Sequence, residues 1–231
     1  MKDAIRKIYP NALLGKEMTR SCMNKLVDEY EFDTDRTILG TSVCSDEVVR
    51  SSTNFRDYLE YGNPFSLGGL AGYPFTGLTG FGAFAAHIPD EGFAIIEYGP
   101  HIGFTETGTI GAVIRKGRAQ ESTCCGAIKA SMGDILDGNV GNRDSDLDYQ
   151  EWKIEEQLSK GSDKIKEHSV PIVEATNVLY DQIDTQIKKL LNASESAFKN
   201  TTVALVGGII INTDFGNPDW FDLREFSVHT F

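Results

Sequence analysis

Positive charge is scarce in this chain. Its 22 lysines and arginines face 34 aspartates and glutamates, which leaves a formal net charge of -12 at pH 7. Nucleic-acid binding needs a cationic footprint, so the balance argues against that class of function. It argues equally against attraction to an anionic membrane surface. Long apolar runs are also missing. The longest, near Val203 to Ile211, falls far short of a membrane span. The start, Met1-Lys-Asp-Ala-Ile-Arg, has no hydrophobic signal region, so secretion is not expected. The glycosylation patterns at Asn192 and Asn200 carry no weight without such a signal. Cysteine is sparse: Cys22, Cys44, Cys124 and Cys125 are too few for a disulfide scaffold in 231 residues. The adjacent pair would bridge under strain, so reduced thiols in a reducing compartment are the simpler reading.

What is present reads as an ordinary globular chain, with 40% hydrophobic residues and 25.4 kDa to bury a core. One domain over residues 1–231 is expected, with a core at about 15–136 and C-terminal helices and a strand over 150–231. Cys22, Leu26 and Tyr30 repeat at helical spacing, predicting a helix near Thr19 to Tyr30. Thr37 to Val43 predicts a buried strand. Ser45 then reads as an N-cap, with Asp46 and Glu47 in the first turn of a helix running to about Leu59. Asn63 to Phe84, rich in glycine and phenylalanine, reads as a loop or packed connection. Gly92 to Tyr98 and Thr109 to Arg115 predict strands in a hairpin or close pair. Thr123 reads as the cap of a helix from Cys124 to Leu136, followed by a polar loop over Asp137 to Asp148. Two helices should follow. In the second, which Pro171 opens, Ile172, Thr176, Leu179, Ile183, Ile187 and Leu190 line one face. Thr202 to Asn212 is hydrophobic on both faces, as a central strand is. Alternating strands and helices predict an α/β fold with a mostly parallel central sheet flanked by helices. Ligands in such sheets bind at the carboxyl ends of strands, where Cys44 falls.

Cys44, His87 and Cys125 form the candidate metal site. Two thiolates and an imidazole give zinc three ligands and leave a fourth position open, as in catalytic zinc sites. Cys44 and Cys125 each precede or open a predicted helix, where a thiolate is stabilised. Cys124 competes with Cys125 for the role. Free cysteines also serve as small buried hydrophobes, and Cys22, on a helical apolar pattern, is read that way. Asp46 lies two residues from Cys44 and four from Arg50. It can orient a water at the open position, or it can form a surface ion pair with Arg50. His101 can line the site, shuttle protons, or be a structural histidine. Asp144, Asp146, Asp148 and Glu155 fit part of a calcium-loop pattern, but Tyr149 stands where the sharp turn needs glycine. Phe75, Phe81 and Phe84 suit a core, and would also suit an apolar wall for a small substrate.

Six segments in order carry a more specific signal. They are Val43-Cys-Ser-Asp-Glu47, Phe65-Ser-Leu-Gly-Gly69, Gly80-Phe-Gly-Ala-Phe84, His87-Ile-Pro-Asp-Glu-Gly92, Tyr98-Gly-Pro-His-Ile-Gly103 and Cys125-Gly-Ala127. With them the chain resembles the limiting-carbon-dioxide-inducible protein B/C family. These LCIB-like, or theta-class, carbonic anhydrases are related in architecture to beta carbonic anhydrases. The resemblance implies a zinc-dependent carbonic anhydrase interconverting carbon dioxide and bicarbonate, with Zn2+ on Cys44, His87 and Cys125. It implies a catalytic Asp46 with an arginine partner. The beta-type Cys-x-Asp-x-Arg pattern would put that arginine at position 48, which is Val48 here. Arg50 is the nearest arginine, with Arg115 and Arg118 as alternatives. Two thiolates offset much of the metal's charge, which implies a mildly alkaline optimum. The resemblance also implies a homodimer in the plastid stroma, serving a carbon-concentrating mechanism, with no nucleic acid partner and no membrane insertion. The rival readings are a catalytically silent zinc-containing interaction protein of the same family and a thiol redox protein using Cys124 and Cys125. The latter lacks a Cys-x-x-Cys motif.

Overall fold

The structure, a computed structural model, describes residues 1–49 and 54–231. In chain order the elements are α1 (Lys2–Ile8), β1 (Leu13–Leu14), α2 (Gly15–Tyr30), β2 (Thr37–Ser42), β3 (Phe65–Ser66), α3 (Gly77–Ala85), β4 (Phe93–Tyr98) and β5 (His101–Phe104). There follow β6 (Ala112–Ile114), β7 (Glu121–Thr123), α4 (Gly126–Asp137), α5 (Tyr149–Ser159), α6 (Ser162–Glu167), α7 (Pro171–Ala193), β8 (Thr202–Thr213) and β9 (Trp220–Thr230). The main sheet runs β1-β9-β8-β4-β2-β3, with β5 also on β8. Its β3-β2, β2-β4, β4-β8 and β5-β8 pairings are parallel, and β9 and β1 add an antiparallel edge. This is the mixed α/β, mostly parallel sheet that the alternation of elements predicts.

Burial explains the sequence patterns. Every residue of β2 is buried, as is nearly all of β8, because helices cover both faces. Neighbouring residues of β4 reach opposite layers. Tyr98 donates a hydrogen bond of 2.6 Å to Asp184 on α7, while Glu97 lies on the side of Cys22 in α2. The α7 stripe of Ile172, Thr176, Leu179, Ile183, Ile187 and Leu190 is buried, with Pro171 in the first turn.

Several local expectations fail for identifiable reasons. Among the described residues, no α-helix follows Ser45 before Leu59: residues 45–48 form bends and turns, and Phe55–Tyr58 is a short 3-10 segment. Arg50 lies outside the described residues. The stretch Asn63 to Phe84 contains helix α3, whose glycines masked its pattern. The strands near 92–98 and 109–115 do not pair. The first joins the main sheet, and the second becomes β6, which pairs with β7 in a separate antiparallel hairpin. Cys125, rather than Thr123, is the residue before the first turn of α4. Three helices, not two, separate α4 from β8, since the short α6 intervenes. Strand β9 carries charges among its apolar residues and gave no clear strand pattern. The loop over 138–148 is exposed, yet Arg143 ties it to Asp134 and to the nearly buried Glu155.

The sheet jogs where the site is built. Strands β4 and β5 lie on the same side of β8, against its first and second halves, and are separated by Gly99 and Pro100. Opposite them, the β8–β9 register shifts between Gly207 and Gly208. Gly99 has φ of +147°, and a Cβ there would stand 1.7 Å from the Gly208 carbonyl oxygen. Only glycine permits that approach. The jog ends β4 and presents His101 beside the carboxyl ends of β2 and β4.

Glu97 is an unpaired carboxyl inside this sheet. It is 1% exposed, and neither oxygen has a hydrogen-bond partner among the described residues. Burial pushes its pKa up to about 8. An unfolded glutamate ionises near 4.3. Between these values the folded state holds a proton that the unfolded state has released. The carboxyl's contribution to stability is therefore full below about pH 4 and is lost as pH rises to about 8. Glu97→Gln is expected to remove this slope. Urea unfolding should show the variant gaining on wild type by on the order of 3 kcal/mol between pH 5 and pH 8. Parallel pH profiles would mean that the carboxyl is hydrated or paired.

Candidate metal centre

Three side chains from separate parts of the chain meet at the carboxyl edge of the sheet. Cys44 lies two residues past β2, His101 opens β5 just past the jog, and Cys125 precedes the first turn of α4. Their ligating atoms all lie within 4.8 Å of one another, and the three residues are 5%, 0% and 2% exposed. The two sulfurs are 4.0 Å apart. Tetrahedral zinc with Zn–S bonds of about 2.3 Å separates two sulfurs by about 3.8 Å, so the spacing fits. The donor set fits as well. In the protein alone, the hydrogen bond shared with Cys125, and then burial, holds the Cys44 thiol well above its ordinary range. Two buried thiols this close can both ionise only against a cation. On the imidazole, Nδ1 lies 2.8 Å from Asn212 Oδ1, while Nε2 is buried with no hydrogen-bond partner among the described residues. An orphaned ring nitrogen beside two thiols is what a soft metal would satisfy.

The surrounding backbone orients the donors. The Ala71 N–H donates to Cys44 Sγ at 3.2 Å, and the neighbouring Leu70 N–H is held at 2.8 Å by Gln150 Oε1 on α5. Cys125 is the N-cap residue of α4, so the helix start fixes where its sulfur lies. Cys124 faces elsewhere. Its sulfur lies 3.4 Å from His101 Nδ1 and 3.7 Å from Asn212 Oδ1, on the side of the ring already engaged.

His87 is not part of this group. It is exposed after α3, with its ring edge-on to Phe65 at a centroid distance of 5.3 Å. The topology explains why. A helix linking two parallel strands must return to the amino edge before the next strand starts, and His87 stands six residues before β4. The thiols are at the opposite, carboxyl edge. The imidazole that reaches them is His101, which the sequence offered only as a lining or structural residue.

Asp46 stands beside the cluster and is gripped by Arg115. The guanidinium Nη1 and Nη2 donate to Oδ1 and Oδ2 at 2.6 and 2.8 Å. Arg115 also bonds Ser122 Oγ at 2.8 Å and the Thr123 carbonyl at 3.0 Å, so the β6–β7 hairpin fixes its position. Burial alone would raise the Asp46 carboxyl, but the hydrogen bonds from Arg115 and the bond from Val48 N–H hold it well below the usual range. Thus an arginine distant in sequence serves the aspartate where Val48 replaces the expected one. Beside Cys44 a cavity of about 370 Å³ opens, lined in part by Thr41, Ser45, Arg56 and Ser66. Phe81 and Phe84 are fully buried in the core, and Phe75 packs between Tyr73 and Tyr149.

Residues 13–230 match the family model described as limiting CO2-inducible proteins B/C beta carbonic anhydrases. The chain belongs to this family. It is 33% identical to PtLCIB4, a homolog of the limiting CO2-inducible protein LCIB. That crystal structure superposes with a TM-score of 0.91, over 100% of this chain and 96% of the other. A histidine-to-alanine mutant of PtLCIB4 gives the same score and identity over 99% and 93%. The structure of LCIB itself shares the fold, with a TM-score of 0.73 at 19% identity over 96% and 92%. No curated protein sequence matches the chain. Cys44, His101 and Cys125, far apart in the sequence, come together at the sheet edge. Among the described residues, no helix is long and apolar enough to cross a membrane.

Proposed function

We propose that the chain is a zinc-dependent carbonic anhydrase that interconverts carbon dioxide and bicarbonate. The observation that carries this reading is the meeting of Cys44, His101 and Cys125 in a member of this family. Cys44 and Cys125 hold zinc as thiolates, and His101 holds it through the orphaned nitrogen. Bound there, zinc supplies Lewis-acid activation of water near neutral pH. Asp46, ionised and held by Arg115, offers acceptor lone pairs beside the metal position and orients the reacting water's proton away from carbon. The cavity beside Cys44, lined in part by Arg56, is large enough to admit carbon dioxide and bicarbonate. Two thiolates offset the metal's charge, so the optimum is mildly alkaline. The family description supports a role when carbon dioxide is limiting, and we place the protein as a homodimer in a plastid carbon-concentrating pathway. A zinc protein without turnover is the second reading, favoured by Val48 at the position of the beta-type arginine. Arg115 on Asp46 favours the first. Exchange of oxygen-18 between carbon dioxide and water, followed by mass spectrometry, separates them. Zinc-loaded protein should accelerate the exchange, and a rate equal to buffer would leave the silent reading.

A further inference from the structure

The orphaned nitrogen of His101 has a cause further out in the chain. An amide side chain can be turned either way unless its partners decide. Asn212, on β8, has its amide decided from the far end. Its Nδ2 lies 3.2 Å from Asp219 Oδ2 and 3.4 Å from the Val48 carbonyl oxygen. Both are oxygen acceptors, and the Asp219 carboxylate is itself held by the Thr213 N–H at 2.8 Å. The NH2 group must therefore face Asp219, and Oδ1 must face the imidazole. An amide oxygen can only accept, so His101 Nδ1, 2.8 Å away, carries the proton. Cys124 Sγ, 3.7 Å from the same oxygen, is placed to donate to it as well. The lone pair of the ring is left on Nε2.

We propose that Asp219, acting through Asn212, locks His101 in its Nδ1–H tautomer and so presents Nε2 to the two thiols. Asp219 and Asn212 are positioning residues that act through His101. The consequence for metal affinity rests on the zinc reading above, but the tautomer does not. Outer partners that fix a ligand's tautomer and ring angle are worth about tenfold to a hundredfold in metal affinity.

Long-range proton–nitrogen correlation on protein labelled at its four histidines reports which ring nitrogen carries the proton. Comparison with His101→Ala assigns the signal. At a pH where the His101 ring is neutral, wild type should show Nδ1–H there and a bare Nε2, with or without zinc. Asn212→Leu, similar in size but without the acceptor, should lose that preference and bind zinc about tenfold to a hundredfold more weakly in chelator competition. Asp219→Asn should blur the preference, because two facing amides no longer dictate which way Asn212 turns. It also carries the test if Asn212→Leu does not fold. A wild-type Nε2–H signal, or an unchanged tautomer in the folded variants, would overturn the proposal. Wild type with Nδ1–H that binds no zinc would overturn the zinc reading and leave the tautomer lock standing. Wild type that binds zinc with Nε2–H would do the reverse.

Discussion

His101→Ala is expected to abolish stoichiometric zinc binding, while His87→Ala leaves it intact. Cys44→Ser and Cys125→Ser should behave like His101→Ala, and Cys124→Ser should retain metal. The expectations follow from position. Removing one of three protein ligands leaves two donors for an ion that needs a closed set of three plus an open site. His87 stands exposed at the far edge of the sheet, so its loss touches no donor. Cys124 faces the protonated side of the His101 ring, so its loss perturbs the setting of the imidazole without removing a ligand. Metal analysis of the purified variants, with folding checked by circular dichroism, measures all of these. Zinc retained by His101→Ala and lost from His87→Ala would reverse the assignment.

Asp46→Asn should keep zinc and lose hydration activity by roughly a hundredfold or more, the range seen for positioned proton-handling groups. A carboxylate only accepts, so it holds a reacting water in one sense. An amide of the same shape can present its NH2 group and reverse that sense. The change also removes the charge that Arg115 grips through two bonds. Arg115→Ala should produce part of the same loss, since Asp46 would then be free to turn. If Asp46 were only one half of a structural ion pair, both variants would show a stability change of about 1 kcal/mol and near-normal turnover. Stopped-flow hydration on zinc-replete proteins separates these outcomes.

The parts of the fold that were readable are those where one physical demand dominates. β2 and β8 are buried on both faces, so their composition announces them. α7 has a long apolar stripe and a proline in its first turn, and no tertiary contact competes with that pattern. The thiols of Cys44 and Cys125 were readable because each falls at a junction between elements. His101 was ambiguous for a topological reason. Its place depends on the jog at Gly99 and Pro100 and on the bulge opposite it, neither of which leaves a periodic trace. A glycine-proline step between a strand and a histidine was the only local signal. His87 misled because the chain order of a motif does not show which edge of the sheet a residue reaches. Arg115 was one of three arginines weighed for Asp46. It could not be preferred without knowing that β6 and β7 form a hairpin of their own. The helix expected after Ser45 had a good cap and acidic first turn, yet those signals are worth about 1 kcal/mol, and the described residues 45–48 form bends and turns instead.

The rate of carbon dioxide hydration per chain, measured by stopped flow as zinc occupancy is raised stepwise from chelator-stripped protein, tests the central claim most directly. The account predicts that the rate rises in proportion to bound zinc up to one ion per chain, and that His101→Ala stays at the stripped baseline. A wild-type protein that fills with one zinc per chain and never rises above that baseline would contradict it.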